Sequence, residues 1–391
     1  MIYLDSAATA LQNKNSLQIA FEAYLNDGYN PSSAYKEAKN VANKIKMQKA
    51  AIAKILNCSY NQLYFTSSAT ESNNIVLSSF LHKKGGTILI SPLEHASVFS
   101  PAMRLKQFGF NVKELPITRE AQLDFEKIDA CLTTDVVGLF AIFVCNENGA
   151  ILNIKKLSSI IDKYNQNKKE KIHLHCDCVQ ALGKIPISLE ELNIDSAAFS
   201  GHKIGAIKGS GLLYLKGPLT PIYDGGGQEN GIRSGTENIG AISSFVYSLE
   251  EANANLEVNK QKALGLKSHL LNSIKEIDKE NQVVILPVGD TKLILDEELF
   301  SPYIIQLAIP PLPSEVIVRI FDDNDIAISG GSACASNRRS KALRISMALK
   351  FPTNIASSTI RVSFGYSSTK KDIDQFILVL KEKILPLAKK F

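Results

Sequence analysis

The chain has 391 residues, 45% of them hydrophobic, with 44 basic against 39 acidic side chains and a formal charge of +5. So small and scattered an excess is no nucleic-acid footprint, and the composition is neither collagen-like nor disordered. No apolar run approaches a bilayer-spanning length and Met1-Ile2-Tyr3-Leu4-Asp5 has no secretory pattern, so a cytoplasmic protein without a membrane partner is expected. Cys58, Cys131, Cys145, Cys176, Cys178 and Cys334 are scattered, as core residues, metal ligands or catalytic thiols are in a reducing compartment.

From about residue 15 to residue 250, apolar strand-like runs alternate with amphipathic stretches. Strands are predicted at Thr87–Ser91, Val112–Leu115, Val136–Val144, Ile172–Cys176, Ser196–Ser200 and Leu212–Leu215. Helices are predicted at Val41–Leu56, Glu71–His82, Ser97–Phe108, Ile154–Asn165 and Leu189–Leu192. Such alternation predicts an α/β domain with a mostly parallel sheet covered by helices. The stretch Leu249–Leu271 reads as a connecting helix. After it come strands near Val283–Ile285 and Ile304–Leu307 and helices near Ser314–Phe321 and Lys371–Leu385, which suit a smaller α+β domain. The expected division is a large domain over residues 15–255 and a small one built from 1–14 and 256–391.

Three local features carry chemistry. Lys203, in Ser200-Gly201-His202-Lys203, follows a predicted strand, where open α/β sheets place their ligands, and a lysine there can form a Schiff base with an aldehyde cofactor. A lone lysine is more often just solvated. Asp177 lies 26 residues earlier, again at the end of an apolar run. A carboxylate is what a pyridinium nitrogen needs, although alone it reads as a turn or helix cap. Thr66-Ser67-Ser68-Ala69-Thr70-Glu71 opens a helix with small and hydroxyl residues, a ready anion site as well as an ordinary capped start. Together the three point to pyridoxal 5'-phosphate (PLP).

In order along the chain occur Tyr3-Leu4-Asp5-Ser6-Ala7-Ala8-Thr9, Asn30-Pro31-Ser32-Ser33, Ser68-Ala69-Thr70-Glu71-Ser72-Asn73, Glu94-His95, Asn146-Glu147, Asp177 with Gln180, and Ser200-Gly201-His202-Lys203. Gly225-Gly226-Gly227-Gln228-Glu229, Arg233-Ser234-Gly235-Thr236, Ser332-Ala333-Cys334 and Ile360-Arg361-Val362-Ser363 follow. This series resembles the cysteine desulfurases, in the class V aminotransferase branch of fold-type I PLP enzymes, over nearly the whole chain. The Gly-Ser-Ala-Cys form looks like the group that supplies iron–sulfur cluster assembly.

The resemblance implies a fold-type I PLP-dependent transferase whose large domain binds the cofactor. It implies that Lys203 holds PLP and moves the Cα proton, and that His95 stacks on the ring and assists proton transfers. Asp177 is implied to pair with the ring nitrogen, while Gln180 and Asn146 reach the phenolic oxygen and nearby cofactor or substrate groups. Ala69, Thr70, Ser200 and His202 are implied to hold the phosphate, with Thr236 contributing from the neighbouring subunit of a homodimer. Arg361 is implied to clamp the substrate carboxylate, a task suited to its planar fork.

Cys334 sits in a Gly/Ser-rich stretch with the composition of a mobile loop, where a thiolate can swing to a substrate sulfur. The implied reaction converts L-cysteine to L-alanine, leaving a persulfide on Cys334 for a protein acceptor such as an iron–sulfur scaffold. The rivals are a selenocysteine lyase or another class V PLP enzyme, and a weakly active scaffold relative. Arg338, Arg339, Lys341 and Arg344 after the cysteine read by default as a solvated basic face. The chain departs from the family in Ile204-Gly205-Ala206-Ile207-Lys208-Gly209, where Gly-Pro-Lys-Gly is usual, and at Tyr35, Ala38 and Cys145. Cys176 and Cys178 read as buried core thiols in preference to a metal pair, because no second pair of ligands stands out, and no metal is expected.

Overall fold

The structure is a computed structural model and describes residues 1–166, 168–330 and 344–390. It begins with β1 (Ile2–Tyr3), α1 (Lys14–Asn26) and α2 (Lys36–Leu56), then alternates β2 (Leu63–Thr66), α3 (Ala69–Ser79), β3 (Gly86–Ile90), α4 (Ala96–Leu105) and β4 (Phe110–Glu114). It continues through α5 (Phe125–Cys131), β5 (Val136–Ile142), α6 (Ile154–Asn165), β6 (His173–Asp177), α7 (Leu189–Leu192), β7 (Ser196–Ser200) and β8 (Gly211–Leu215). Two helices follow, α8 (Ile239–Ala254) and α9 (Leu256–Ile277).

The seven strands from β2 to β8 form one sheet in the order β2-β8-β7-β6-β5-β3-β4. Pairings among β4, β3, β5, β6 and β7 are parallel, and those of β8 with β7 and β2 are antiparallel. The unbroken apolar run of β5, Val-Val-Gly-Leu-Phe-Ala-Ile, is buried at all seven positions, as a central strand covered on both faces must be. At the edge, β4 mixes apolar and charged residues and leaves three of five exposed. Amphipathic α6 buries Ile154, Leu157, Ser158 and Ile161 on one stripe, and the Asn153 side chain caps it by accepting from the Lys156 amide.

The mostly parallel sheet and every predicted strand of the large unit are present, with ends shifted by one or two residues. The reading of Leu249–Leu271 as one helix is corrected. Asn255, at φ −107° and ψ 13°, breaks the stretch into α8 and α9. Helix α8 carries no polar stripe to betray it, because eleven of its sixteen residues are buried. Helix α1 packs on it through Ser16, Ala20 and Ala23.

The second sheet contains β9 (Val284–Leu286), β10 (Ile304–Ala308), β12 (Ser329–Gly330) and β13 (Thr359–Ser363) in the antiparallel order β12-β13-β10-β9. Between β10 and β12 lie α10 (Ser314–Asp322) and β11 (Ile326–Ala327), and β11 pairs in parallel with β1. Asp5 then bridges to Ser363 at the end of β13. The first residues of the chain are thus stitched into its last third, beside the carboxyl ends of the large sheet.

Candidate active site

In the large sheet the chain runs outward from β3 to β4 and then returns to place β5 on the other side of β3. Loops leaving β3 and β5 therefore diverge, and a crevice opens at their carboxyl ends, where open α/β sheets bind ligands. A cavity of about 650 Å³ occupies this place. Ala69, Thr70, His95, Asn146, Asp177, Gln180, Ser200, His202, Lys203 and Arg361 all line it. Two expected site residues remain. Thr236 lies in a separate pocket of about 230 Å³ with Thr66, Ser67 and Arg233, and Cys334 falls outside the described residues.

Lys203 ends the tight turn that follows β7. Gly201 opens that turn because a Cβ there would meet the Phe245 ring at 2.7 Å. The Lys203 Nζ donates to the carbonyls of Ala7 and Ala8, each at 2.7 Å. Burial, helped by the Arg361 charge, pushes its pKa down to about 8, which raises the fraction of nucleophilic free amine. The departing segment after it is firmly held. Gly205 adopts φ +85°, its carbonyl accepts from Asn13 N at 2.9 Å, and Ile207 N donates to Ser244 Oγ at 2.9 Å.

Asp177 ends β6, and one Oδ accepts from Val179 N at 3.1 Å while the other accepts from Asn73 Nδ2 at 3.0 Å. A carboxylate only accepts, so the Asn73 amide is fixed with its nitrogen toward Asp177. The same Nδ2 donates to Ser97 Oγ at 2.8 Å, and that hydroxyl lies 2.8 Å from His95 Nδ1. Ser97 N also donates to His95 Nδ1, at 3.2 Å. Nδ1 is therefore the accepting nitrogen and His95 carries its proton on Nε2. Burial holds the imidazole below its ordinary pKa, in the neutral form. On its other side, Asn73 Oδ1 accepts from His175 Nε2 at 2.8 Å, and His175 Nδ1 lies 2.7 Å from Ser196 Oγ. Burial pushes His175 down to about 3, so both histidines of this network are neutral beside the Asp177 carboxylate.

The Gln180 amide is likewise fixed. Its Oε1 accepts from the buried Lys184 Nζ at 2.7 Å and its Nε2 donates to Ala7 O at 2.8 Å. Burial pushes Lys184 down to about 7.

Ser68 caps α3 by accepting from Glu71 N at 3.2 Å, leaving the Ala69 and Thr70 end of the helix facing the cavity as an anion cradle. The Glu71 carboxylate is drawn aside by Ser67 N and by Arg233 Nε at 3.1 Å. Gly211 on β8 passes so close that a Cβ would meet the Ser68 backbone at 2.6 Å. His202 flanks the cradle, with Nδ1 3.0 Å from Thr9 Oγ1, and burial beside Lys203 pushes its pKa down to about 4.

Arg361 reaches in from β13. Its Nη1 donates to Asn146 O at 2.9 Å, and Nη2 donates to Asp5 Oδ1 at 2.7 Å and Ser329 Oγ at 2.9 Å. Arg361 Nε, Asn146 Oδ1 and Glu147 Oε2 are buried without a partner in the same cavity. Such unpaired groups fit a polar ligand that completes them. Burial pushes the Glu147 carboxyl up to about 7 despite Arg344 and Arg361 nearby. Arg344 is no part of a solvated face. It donates to the carbonyls of Pro92 and Glu94 and covers the Phe99 ring at 4.4 Å, which corrects the default reading at that position. Arg338, Arg339 and Lys341 lie outside the described residues.

The aminotransferase class-V family model matches residues 2–376. The chain belongs to that family. Its relatives include a NifS/IcsS protein homolog of Lactobacillus delbrueckii subsp. bulgaricus, 33% identical over 98% of this chain and 97% of that protein. The cysteine desulfurase IscS of Dictyoglomus turgidum is 30% identical over 98% of this chain and 94% of its own length. Among solved structures, a NifS-like protein superposes with a TM-score of 0.87 at 26% identity, covering 99% of both chains. A NifS-like protein from Rickettsia africae gives 0.82 at 28% identity over 98% of this chain and 99% of the other. The family member described here has the fold-type I architecture, with its large mostly parallel sheet and a second small sheet.

Ten of the cavity's residues are legible in the sequence, whereas the parts played by Asn73, Ser97, Lys184, Asp5 and Gly211 emerge only from the fold. Asn73 and Asp5 stood inside quoted motifs, and the signal for Asn73 was a buried-face asparagine one helical turn past the cradle.

Proposed function

We propose that this class-V family member is a PLP-dependent cysteine desulfurase, converting L-cysteine to L-alanine with a persulfide formed on Cys334 for transfer to an acceptor. The observation that carries the reading is the convergence in one cavity of a partly deprotonated lysine, an anchored strand-end carboxylate and an arginine fork with unpaired N–H groups. Lys203, Asp177 and the cradle at Ala69 and Thr70, flanked by Ser200 and His202, fit the aldehyde, the pyridine nitrogen and the phosphate of PLP. Gln180 Nε2 and the free Asn146 Oδ1 suit the polar atoms of cofactor or substrate. When bound, PLP supplies an electron sink for the substrate's Cα carbanion.

The chain's own residues do the rest. Arg361 binds the substrate carboxylate, Lys203 Nζ takes and returns the Cα proton, and His95 presents its Nε2 proton to the cavity. The Cys334 thiolate attacks the substrate sulfur, forming an S–S bond as the Cβ–S bond breaks. The electron pair of the broken bond stays with Cβ, which takes up a proton, and the product is L-alanine.

The acceptor we assign is a protein such as an iron–sulfur scaffold. We assign the active form to a homodimer in the cytoplasm. Helix α1 leaves Phe21 59% and Leu25 68% exposed. This apolar face adjoins the Thr236 segment, since Tyr24 Oη donates to Asn238 Oδ1 at 2.7 Å. Covering that face with a second copy carries Thr236 toward the partner's phosphate cradle. Among the described residues no helix is long and apolar enough to cross a membrane and the five cysteines are free. We divide the chain into a large domain, 15–255, and a small one, 1–14 with 256–391, because the seven-stranded sheet lies within the first, the four-stranded sheet and the β1–β11 pair lie within the second, and Asn255 marks the joint.

Purified protein tests the function. Absorbance near the visible edge is expected to vanish in Lys203→Ala, and the native enzyme releases alanine and sulfide from L-cysteine under reducing conditions. Cys334→Ser is expected to release none. Sulfide release at the original rate from that variant overturns the persulfide route.

A further inference from the structure

We infer that Asp5 is a positioning residue for the substrate carboxylate: it holds the Arg361 guanidinium in the aim that L-cysteine meets. The inference rests on the desulfurase reading above and goes beyond it by giving a specific task to the first segment of the chain.

Arg361 and Ser329 stand opposite each other in the β12–β13 register, so their side chains rise on the same face. Asp5 arrives at them from the N-terminal segment, where its bridge to Ser363 fixes the backbone. One oxygen, Asp5 Oδ1, accepts from Arg361 Nη2 and from Ser329 Oγ, each at 2.7 Å. Ser329 Oγ in turn accepts from Arg361 Nη2 at 2.9 Å. The three groups form a closed ring. A bond between a guanidinium and a carboxylate is among the strongest a side chain makes. In this position it is also sheltered, with side-chain exposures of 10% and 18% for Arg361 and Asp5.

Asp5 could instead compete for the fork, as an internal stand-in for the substrate carboxylate. The donor count argues for positioning. Arginine has five N–H donors, and the contacts to Asn146 O, Asp5 and Ser329 use at most three. The Nε–H is among those left, buried and unpartnered. Asp5 and Ser329 occupy the two hydrogens of Nη2 and Asn146 O one of Nη1, so the second Nη1–H remains to receive a carboxylate oxygen while Asp5 holds the plane. A long, flexible side chain pinned at two places loses less rotamer freedom when substrate arrives.

The test is a double-mutant cycle on PLP-loaded enzyme, using Asp5→Asn, Arg361→Lys and the pair. Asp5→Asn, nearly isosteric, is expected to raise the KM for L-cysteine roughly tenfold, the worth of one charge-assisted hydrogen bond, with a smaller change in kcat. In the Arg361→Lys background the same change is expected to alter KM by less than about twofold, because coupled residues are not additive. Asp5→Glu, which keeps the charge, is expected to recover part of the loss. An unchanged or lowered KM in Asp5→Asn, or effects that add fully in the double variant, overturns the inference while leaving the desulfurase reading intact. Failure of the native enzyme to make alanine from cysteine overturns the reading itself. Cofactor absorbance and thermal midpoint, measured on every variant, separate these results from misfolding, and Ser329→Ala, which opens the ring from its third member, is expected to raise KM in the same direction.

Discussion

At the residue scale, the chemistry of Lys203 is set by what surrounds it. Burial and the Arg361 charge bring its pKa down to about 8. Its neutral, nucleophilic form therefore grows as pH rises and is the majority above that value. The rate at which cofactor-free protein takes up PLP is expected to climb about tenfold per pH unit below 8 and to level off above it. Stopped-flow absorbance at several pH values measures this, and a flat profile contradicts it. Asn73 supports a second prediction, because its amide joins Asp177, Ser97 and His175 in one buried network. Asn73→Leu strands three polar partners at once and is expected to cost about 2–4 kcal/mol of stability. It also frees the His95 ring to change tautomer. Thermal unfolding reads the first effect and nitrogen NMR of the histidines the second.

At the element scale, the anion cradle depends on two elements approaching within contact distance. Gly211 of β8 faces the backbone of Ser68 so closely that a methyl group would stand 2.6 Å from it. Backbone cannot yield as a side-chain tip can. Gly211→Ala is expected to cost about 1–3 kcal/mol and to displace the start of α3. PLP affinity falls with it, whereas Gly209→Ala, at φ +87° but with open space around it, strains the turn without touching the cradle. Equilibrium titration of both variants with PLP distinguishes them. The elements most legible in the sequence were those whose surroundings repeat, such as the two-face-buried β5 and the amphipathic α6. Helix α8 and the first turn of α2 were not legible. The first buries serines along with its apolar residues nearly all round, and the second, Lys36-Glu37-Ala38-Lys39-Asn40, is almost wholly polar, so neither shows a helical stripe.

At the scale of the whole molecule, the cavity belongs to two sheets and to the segment between them. Lys203, Asp177 and the Ser68–Thr70 turn could be read in the sequence because each follows an apolar run at a strand's end. The Asp5–Arg361–Ser329 ring could not, since its members are separated by up to 356 positions and only the fold brings them together. The proposed dimer makes a prediction at this scale. Phe21→Asp places a charge on the exposed apolar face of α1 and is expected to yield monomers in sedimentation. PLP retention is expected to drop with dimer loss, because Thr236 sits in a pocket apart from its own chain's cavity. A monomeric variant with native PLP affinity contradicts a shared site.

The stitching of the first residues into the last third of the chain also has a consequence for biosynthesis. Ile2 pairs with Ile326, Asp5 bonds to Arg361, and the amide of Ala7 donates to Ser363 Oγ at 2.9 Å. On the ribosome, Ile2–Ala8 emerges more than 300 residues before these partners, while the strands of the large sheet can pair as they appear. The carbonyls of Ala7 and Ala8 that receive Lys203 are therefore fixed fully only after β13 has been made. A nascent chain halted before β13 can hold a folded large sheet and still have no completed wall for its cofactor.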